Sequence, residues 1–416
     1  MQMAKVWQRL LGVERTVVES VEFDEDDELI VASVRPRKGA GKRRCGRCGR
    51  RCPGYDRGDG RRRWRTLDLG AIPAYLEAEA PRVDCPEHGP TVVQVPWARH
   101  GAGHTRAFDD QVSWLATHCS KSAVTQLMRI AWRTVGSIVT RVVADARAER
   151  DPFENLTRIG IDEISYKKGH RYLIVVVDHD SGALVWAKAG RDKKTLNAFF
   201  DALGEERCAK IRLISADGAE WIAGVVAERC KNAVRCMDPF HVVQWCTDAL
   251  DEVRRDVWNT ARKGGMKALA GDMKGARYAL WKNPEDLTEH QKAKLAWVAK
   301  ANAPLFRAYL MKEQLRLVFR LRGDEGIALL KAWLAWASRS KIAAFVELAR
   351  TIRKHRAAIE AALTHGLTNA RVESVNTKIR LLQRVAFGYR DPEALIAMAM
   401  LDLGGCCPDL PGRRAA

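Results

Sequence analysis

A chain of 416 residues with 47% hydrophobic and 29% charged residues can build two to four cored domains, which excludes a disordered or fibrous protein. It contains no run of about 18 uncharged apolar residues and no apolar core behind its first residues, so neither a membrane span nor a secretory signal is expected, and the expected location is cytoplasmic. Lys and Arg outnumber Asp and Glu by 70 to 51, a net charge of +19, which points to a polyanionic partner, nucleic acid first.

Residues 1–100 read as short strands and turns. Val17–Phe23 and Glu28–Val34 flank an acidic turn, the pattern of a β-hairpin. Cys45-x2-Cys48 and Cys85-x2-His88 supply four ligands for one structural Zn²⁺ in a closed tetrahedral site. Each pair lies on a turn with glycine nearby. The long gap between the pairs requires a strand-rich excursion, with Tyr75–Glu77 and Val92-Val93 as candidates; Cys52 is a spare thiol. Without a secretory signal, the 11 cysteines do not suggest a disulfide framework. Residues 35–65 are crowded with Lys and Arg and hold only Asp56 and Asp59 in opposition, a density suited to phosphate contact.

Residues 105–150 turn helical by periodicity. Phe108, Val112, Leu115 and Ala116 form one apolar face, and Ser120 offers a cap for a second helix carrying Val124, Leu127 and Met128. A third helix starts near Trp132 with Val135, Ile138, Val139 and Val142 inward. Three helices with a tight turn at Ile130-Ala131 suit a helix-turn-helix. Its last helix is expected in a DNA major groove, with Arg133, Thr134, Ser137 and Arg141 on the exposed side.

From residue 156 the pattern alternates. Arg158–Glu163, Arg171–Val177 and Leu184–Ala189 read as successive strands, followed by helix Lys193–Gly204, strand Ile211–Ala216, helix Glu220–Cys230 and strand Ala233–Met237. Three antiparallel strands and then α-β-α-β is the order of an RNase H-like sheet, here spanning 156–245. Asp162 and Asp217 each end an apolar run, on strands that are neighbours in such a sheet. Residues 246–365 are almost wholly helical, broken at Pro284, Pro304 and Arg322-Gly323. Glu373 then opens a basic amphipathic helix in the segment 366–405, with Asn376 and Arg380 on its face and Lys378 close by. Two sheet-borne aspartates and a helical glutamate form an all-oxygen donor set for two Mg²⁺ or Mn²⁺ ions, the machinery of phosphoryl transfer. Glu163, Asp178 and Glu220 are competitors, although Asp178 fits a turn signal and Glu220 the first turn of a helix. Asp238-Pro-Phe-His241 follows the fifth strand, where His241 can meet a phosphate, orient a carboxylate or cap the next helix.

Several motifs together resemble the bacterial insertion-sequence DDE transposases, most closely the ISL-three family. They are the Cys45/Cys48 and Cys85/His88 pairs, Leu67-Asp-Leu-Gly70, Ile161-Asp162-Glu, Ser215-Ala-Asp217-Gly, Asp238-Pro-Phe-His241, Leu310–Arg316, and Glu373-Ser-Val-Asn376 running into Gly388-Tyr-Arg390. The resemblance implies an α/β protein with all-α parts: an RNase H-like catalytic core interrupted by a helical insertion, behind a zinc-ribbon-like module and a helix-turn-helix. It assigns the catalytic triad to Asp162, Asp217 and Glu373, with His88 standing where many relatives carry cysteine. The expected activity is metal-dependent DNA cleavage at element ends followed by strand transfer to target DNA. Terminal inverted repeats and target DNA are the expected partners, handled by a homodimer or larger synaptic complex on the nucleoid. An RNase H-like nuclease without strand transfer and a non-catalytic DNA-binding regulator derived from a transposase are the alternatives.

Overall fold

The computed structural model describes residues 3–38 and 43–413; Lys42 of the basic stretch lies outside the described residues. The chain divides into two compact units, one from its start to Pro152 together with everything from Leu381 onward, the other from Phe153 to Arg380. No helix among the described residues is long and apolar enough to cross a membrane.

The chain opens with helix α1 (Met3–Leu10) and the hairpin β1 (Thr16–Asp24) and β2 (Leu29–Pro36). Next come β3 (Gly54–Asp56), β4 (Arg61–Leu69), β5 (Ile72–Glu79), β6 (Arg82–Cys85) and β7 (Gly89–Val92). β4 and β5 join the hairpin in a four-stranded sheet of order β1-β2-β5-β4, while β3, β6 and β7 make a separate small antiparallel sheet. The excursion between the two Cys-containing pairs is therefore mostly a contribution to the larger sheet. Its inward residues Ala32, Val34, Leu76 and Trp64 are buried, with Trp64 edge-on to Trp97 at 5.5 Å between ring centroids.

Helices α2 (Arg106–His118), α3 (Lys121–Met128) and α4 (Trp132–Glu149) follow. Thr105 and Ser120 cap the first two by accepting from Phe108 N and Ala123 N, and Arg129 at φ 51° turns the chain from α3 toward α4. Val135, Ile138, Val139 and Val142 are buried, as the periodicity requires. Asp109, wholly buried on α2, accepts from Arg141 Nε at 3.1 Å and Nη2 at 3.2 Å. Arg141 is thus not on the exposed, DNA-reading face where its spacing suggested. A buried carboxylate left without a cation is expensive, so the nearest guanidinium turns inward to it.

The second unit holds β8 (Arg158–Lys167), β9 (Arg171–Asp178), β10 (Leu184–Ala189), α5 (Lys193–Leu203), α6 (Glu205–Lys210), β11 (Leu213–Ala216), α7 (Glu220–Arg229) and β12 (Val234–Met237). The sheet order is β10-β9-β8-β11-β12, with β9 alone running against the rest. One expectation fails in detail. β8 continues past Glu163 to Lys167, so Asp162 lies mid-strand, not at its end. The longer hairpin partner β9 carries β8 onward through antiparallel pairing, whereas the short β11 pairs with it only from Arg158 to Gly160.

Eight helices follow: α8 (Pro239–Lys263), α9 (Lys267–Lys274), α10 (Arg277–Trp281), α11 (Glu289–Ala301), α12 (Ala303–Leu321), α13 (Gly323–Ser338), α14 (Ala343–Lys354) and α15 (Arg356–His365). α8 runs unbroken across residue 245, because neither glycine nor an interior proline interrupts it. These helices share one core around Leu250, Leu315, Trp333, Phe345 and Ile352. Within it Lys312, itself wholly buried, donates to the carbonyls of Leu280 at 2.8 Å and Lys282 at 3.2 Å, closing the C-terminal end of α10. This explains the Leu310–Arg316 motif as structural. Lys312→Met should strand those carbonyls and destabilise the helical block by about 3 kcal/mol, read as a lower urea midpoint; an unchanged midpoint would contradict the capping role.

The chain ends with α16 (Ala370–Val385) and α17 (Pro392–Leu403). The sequence grouped 366–405 with the catalytic core, but the compact units divide inside α16 and α17 packs on α4 and α2. α17 buries Leu395, Ile396, Met398, Ala399, Met400 and Leu401, nearly its whole circumference, and the helix-turn-helix supplies the apolar surface for that.

Candidate active site and zinc cluster

Register brings the two aspartates together. Ser215 pairs with Gly160 in the parallel β11–β8 ladder, so two residues further on Asp217 comes level with Asp162. Asp162 Oδ1 accepts from Glu163 N at 2.8 Å, and its Oδ2 accepts from Asn376 Nδ2 at 2.8 Å. Burial pushes the Asp162 carboxyl up to about 6; the Glu163 N–H opposes this, while the charges of Asp217 and Asp238 add to it. Asp217 Oδ1 accepts from Ala219 N at 2.9 Å, fixing the turn into α7, and the Asp217 carbonyl accepts from Arg235.

Two glycines permit this assembly. A Cβ at Gly160 would lie 2.2 Å from Val372 Cγ2 on α16 and 2.8 Å from His179 Nε2, so the helix rests directly on the strand. A Cβ at Gly218 would lie 2.6 Å from the Trp245 ring. Sequence reasoning missed Gly160, although a glycine inside the apolar run Ile159-Gly160-Ile161 is itself a signal of close approach. Gly160→Ala should lift α16 from the sheet and lower stability by about 2 kcal/mol. A calorimetric midpoint equal to that of the parent protein would refute the contact.

Asp238, buried at the start of α8, lies 3.0 Å from His241 Nδ1, and its other oxygen accepts from Asn369 N at 3.4 Å. The Asp238 carboxylate holds the imidazole above its usual range, against burial. Of the three roles open to His241, pairing with a carboxylate is the one observed. Arg371, also missed, donates to the carbonyls of His179 and Asp180 and ties the start of α16 to the β9–β10 turn. Glu163, a competitor for the acid role, is instead paired with Arg191.

Glu373 stands exposed on α16, one turn before buried Asn376 and on the same face, so its Cβ lies roughly 5–6 Å from that of the residue gripping Asp162. The three acids are not drawn into a set as tight as the thiol cluster described next. Lys378 and Arg380 are exposed on the same helix, and Arg133 and Ser137 are exposed on α4 with Thr134 half-buried.

In the first unit, the ligand atoms of Cys45, Cys48, Cys85 and His88 all lie within 4.8 Å of one another, the only such cluster among the described residues. Cys48 and Cys85 sulfurs are 3.8 Å apart, and His88 Nδ1 is 3.6 Å from Cys85 Sγ and 3.8 Å from Cys45 Sγ. Tetrahedral Zn–S bonds of about 2.3 Å require sulfurs about 3.8 Å apart, so the donor set fits zinc. Burial opposes thiolate at Cys85, but the His88 ring and the N–H groups of Glu87 and His88 outweigh it and bring the thiol down to about 6. Cys52 is buried against this cluster with Val83 and Val93 but stands outside the ligand set.

Comparison with known proteins agrees with these parts. Residues 159–399 match a family model described as a transposase, of the DDE, ISL3 type; 93–143 match the helix-turn-helix domain of transposase family ISL3; and 41–88 match the zinc-finger of transposase IS204/IS1001/IS1096/IS1165. The chain is 60% identical to the transposase for insertion sequence element IS1557 of Mycobacterium tuberculosis, covering 99% of this chain and 98% of that protein. It is 28% identical to the transposase for insertion sequence element IS1001 of Bordetella parapertussis, over 94% and 95% of the two chains. A zinc-ribbon module, a helix-turn-helix and paired sheet aspartates in one order along one chain are thus accounted for together: this protein belongs to the ISL3 family of insertion-sequence transposases.

Proposed function

We propose that this transposase cuts DNA at the ends of its element and joins the freed 3′-hydroxyl to target DNA, with Asp162, Asp217 and Glu373 as the reacting acids. The observation that carries this is the Asn376–Asp162 hydrogen bond of 2.8 Å, which docks the glutamate-bearing helix on the aspartate-bearing strand. The sheet order, with one reversed strand second from its edge, supports an RNase H-like core built from 156–245 and the first part of α16, up to Arg380, around a helical insertion at 246–365. Residues 1–100 are the zinc module and 105–150 the helix-turn-helix.

The first step forms a bond from water oxygen to phosphorus and breaks the bond to the 3′ oxygen, leaving a 3′-hydroxyl and a 5′-phosphate. In the second, that 3′ oxygen attacks a target phosphorus and displaces the target's own 3′ oxygen, so one phosphodiester replaces another without an energy source. The donor chemistry suits two Mg²⁺ or Mn²⁺ ions: the oxygens of Asp162, Asp217 and Glu373 are hard ligands, and Asn376 Oδ1 is buried beside them without a partner. Bound there, the ions would ease deprotonation of the attacking oxygen and stabilise charge on the leaving one. Asn376 orients the Asp162 carboxylate, and His241, oriented by Asp238, faces the same acids with its raised basicity. Lys378 and Arg380 hold phosphates along the helix, while Arg133, Thr134 and Ser137 read the terminal inverted repeats. Two ends must be held at once, so the working form is a dimer or larger synaptic complex, acting in the cytoplasm on the nucleoid.

The test is an assay with duplexes carrying the element's ends, a supercoiled target plasmid and Mg²⁺. Cleaved and joined species are both expected. Cleavage without joined products would instead make the protein a nuclease, and an Asp217→Asn variant indistinguishable from the parent would make it a regulator. In the same system Arg133→Ala should weaken binding to end DNA by about tenfold more than to unrelated DNA; equal weakening would reduce Arg133 to a phosphate contact.

A further inference from the structure

The turn after α16 carries a residue that stability alone does not explain. Gly388 N donates to Gln383 O at 2.8 Å and Phe387 N to Arg384 O at 3.1 Å, the paired bonds of a helix end closed by a left-handed residue. That residue is Phe387, at φ 54°, in a place where glycine is strongly favoured. Its side chain is also fully exposed, at 101% of its reference area. The position thus combines backbone strain with a phenyl ring held wholly in water, and strained residues of this kind concentrate at functional sites.

The surroundings indicate what the ring meets. Val385, Ala386 and Gly388 line a cavity of about 450 Å³ together with Trp132, Val135 and Gly136 at the start of α4, so the turn lies beside the helix-turn-helix within one compact unit. Phe387 is absent from that lining and projects into solvent instead. Leu381 and Val385 continue an exposed apolar stripe, and exposed Arg384 and Arg390 flank it. Contact of this face with its own copy would set these arginines against one another, which opposes self-association. A polyanion with stackable faces complements both features at once.

We propose that Phe387 is a base-stacking wedge: it inserts against an unstacked base of the DNA held by the helix-turn-helix unit, with Arg384 and Arg390 on the adjoining phosphates. This rests on DNA binding by the family and not on the acids proposed for catalysis. The wedge favours DNA whose stacking is already broken, since less unstacking energy is then required.

The test compares the full-length protein on a fully paired duplex and on the same duplex with a central two-base mismatch. The parent protein should bind the mismatched duplex about tenfold more tightly. Phe387→Gly, which relieves the left-handed strain and should fold at least as well, should lose that preference with its zinc content unchanged, while Phe387→Trp should keep it. Asp162→Asn should also keep it, which separates failure of the wedge from failure of the catalytic reading. A parent protein without the preference, or Phe387→Gly retaining it, would overturn the wedge. So would Phe387→Gly reducing the sedimenting mass with the preference intact, which would assign the face to a second copy of the chain.

Discussion

Asp162→Asn is expected to reduce both DNA cleavage and strand transfer by at least about a hundredfold while making the metal-free protein more stable. The substitution keeps one oxygen to accept from the Glu163 N–H. Its new amide N–H can donate to Asn376 Oδ1, which has no partner in the parent protein, once the Asn376 amide turns over, so the packing of α16 on β8 survives. What disappears is a charge that the site disfavours, through burial and then through the neighbouring aspartates. A carboxyl raised to about 6 from a reference of 3.8 carries a penalty of up to about 3 kcal/mol at neutral pH. The sign follows from linkage. The penalty is absent below the unfolded value, grows as pH rises, and is complete above about 6. In a chelator, the variant's stability advantage should therefore be largest at pH 7 and shrink toward pH 4. Calorimetry across that range, beside the joining assay, checks both halves. Retained strand transfer would remove Asp162 from the reacting centre. Lost activity with lowered stability at pH 7 would mean that Asp162 acts as a structural residue.

Cys45→Ser should abolish zinc binding and unfold the small sheet of the first unit. That sheet has three short strands, and the buried residues behind it are Cys45, Cys52, Val83 and Cys85, so the metal substitutes for a hydrophobic core. Structural zinc in modules of this size contributes on the order of 10 kcal/mol or more, which no rearrangement of four side chains replaces. Elemental analysis should give one zinc per chain in the parent protein and none in the variant. The helical signal of the second unit should persist, because its core is independent of these ligands. Cys52→Ser, outside the ligand set, should leave the zinc in place. Full zinc in the Cys45 variant would sink the assignment, and zinc lost from the Cys52 variant would rewrite the ligand set.

Much of this protein is legible in its sequence where the signal is local. Alternating apolar runs marked every strand of the five-stranded sheet to within a few residues, because strand burial has a short period and the turns between them are rich in glycine and aspartate. Ser120 announced its helix through capping chemistry, and the Cys-x2-Cys and Cys-x2-His spacings announced a metal cluster because each ligand pair must sit on one tight turn. Tertiary structure alone decided the matters that depend on distant partners. Arg141 looks exposed by helical periodicity, yet a buried aspartate on another helix draws it inward. Asp162 looks like a strand end because its apolar run stops, yet β9 carries the strand on and Asn376, far along the chain, fixes its carboxylate. Gly160 signals a close approach but not that α16 makes it, and α17 does not announce the unit that covers it. Periodicity reports how much of a residue is buried; which neighbour buries it is set by packing between segments whose separation in sequence carries no such signal.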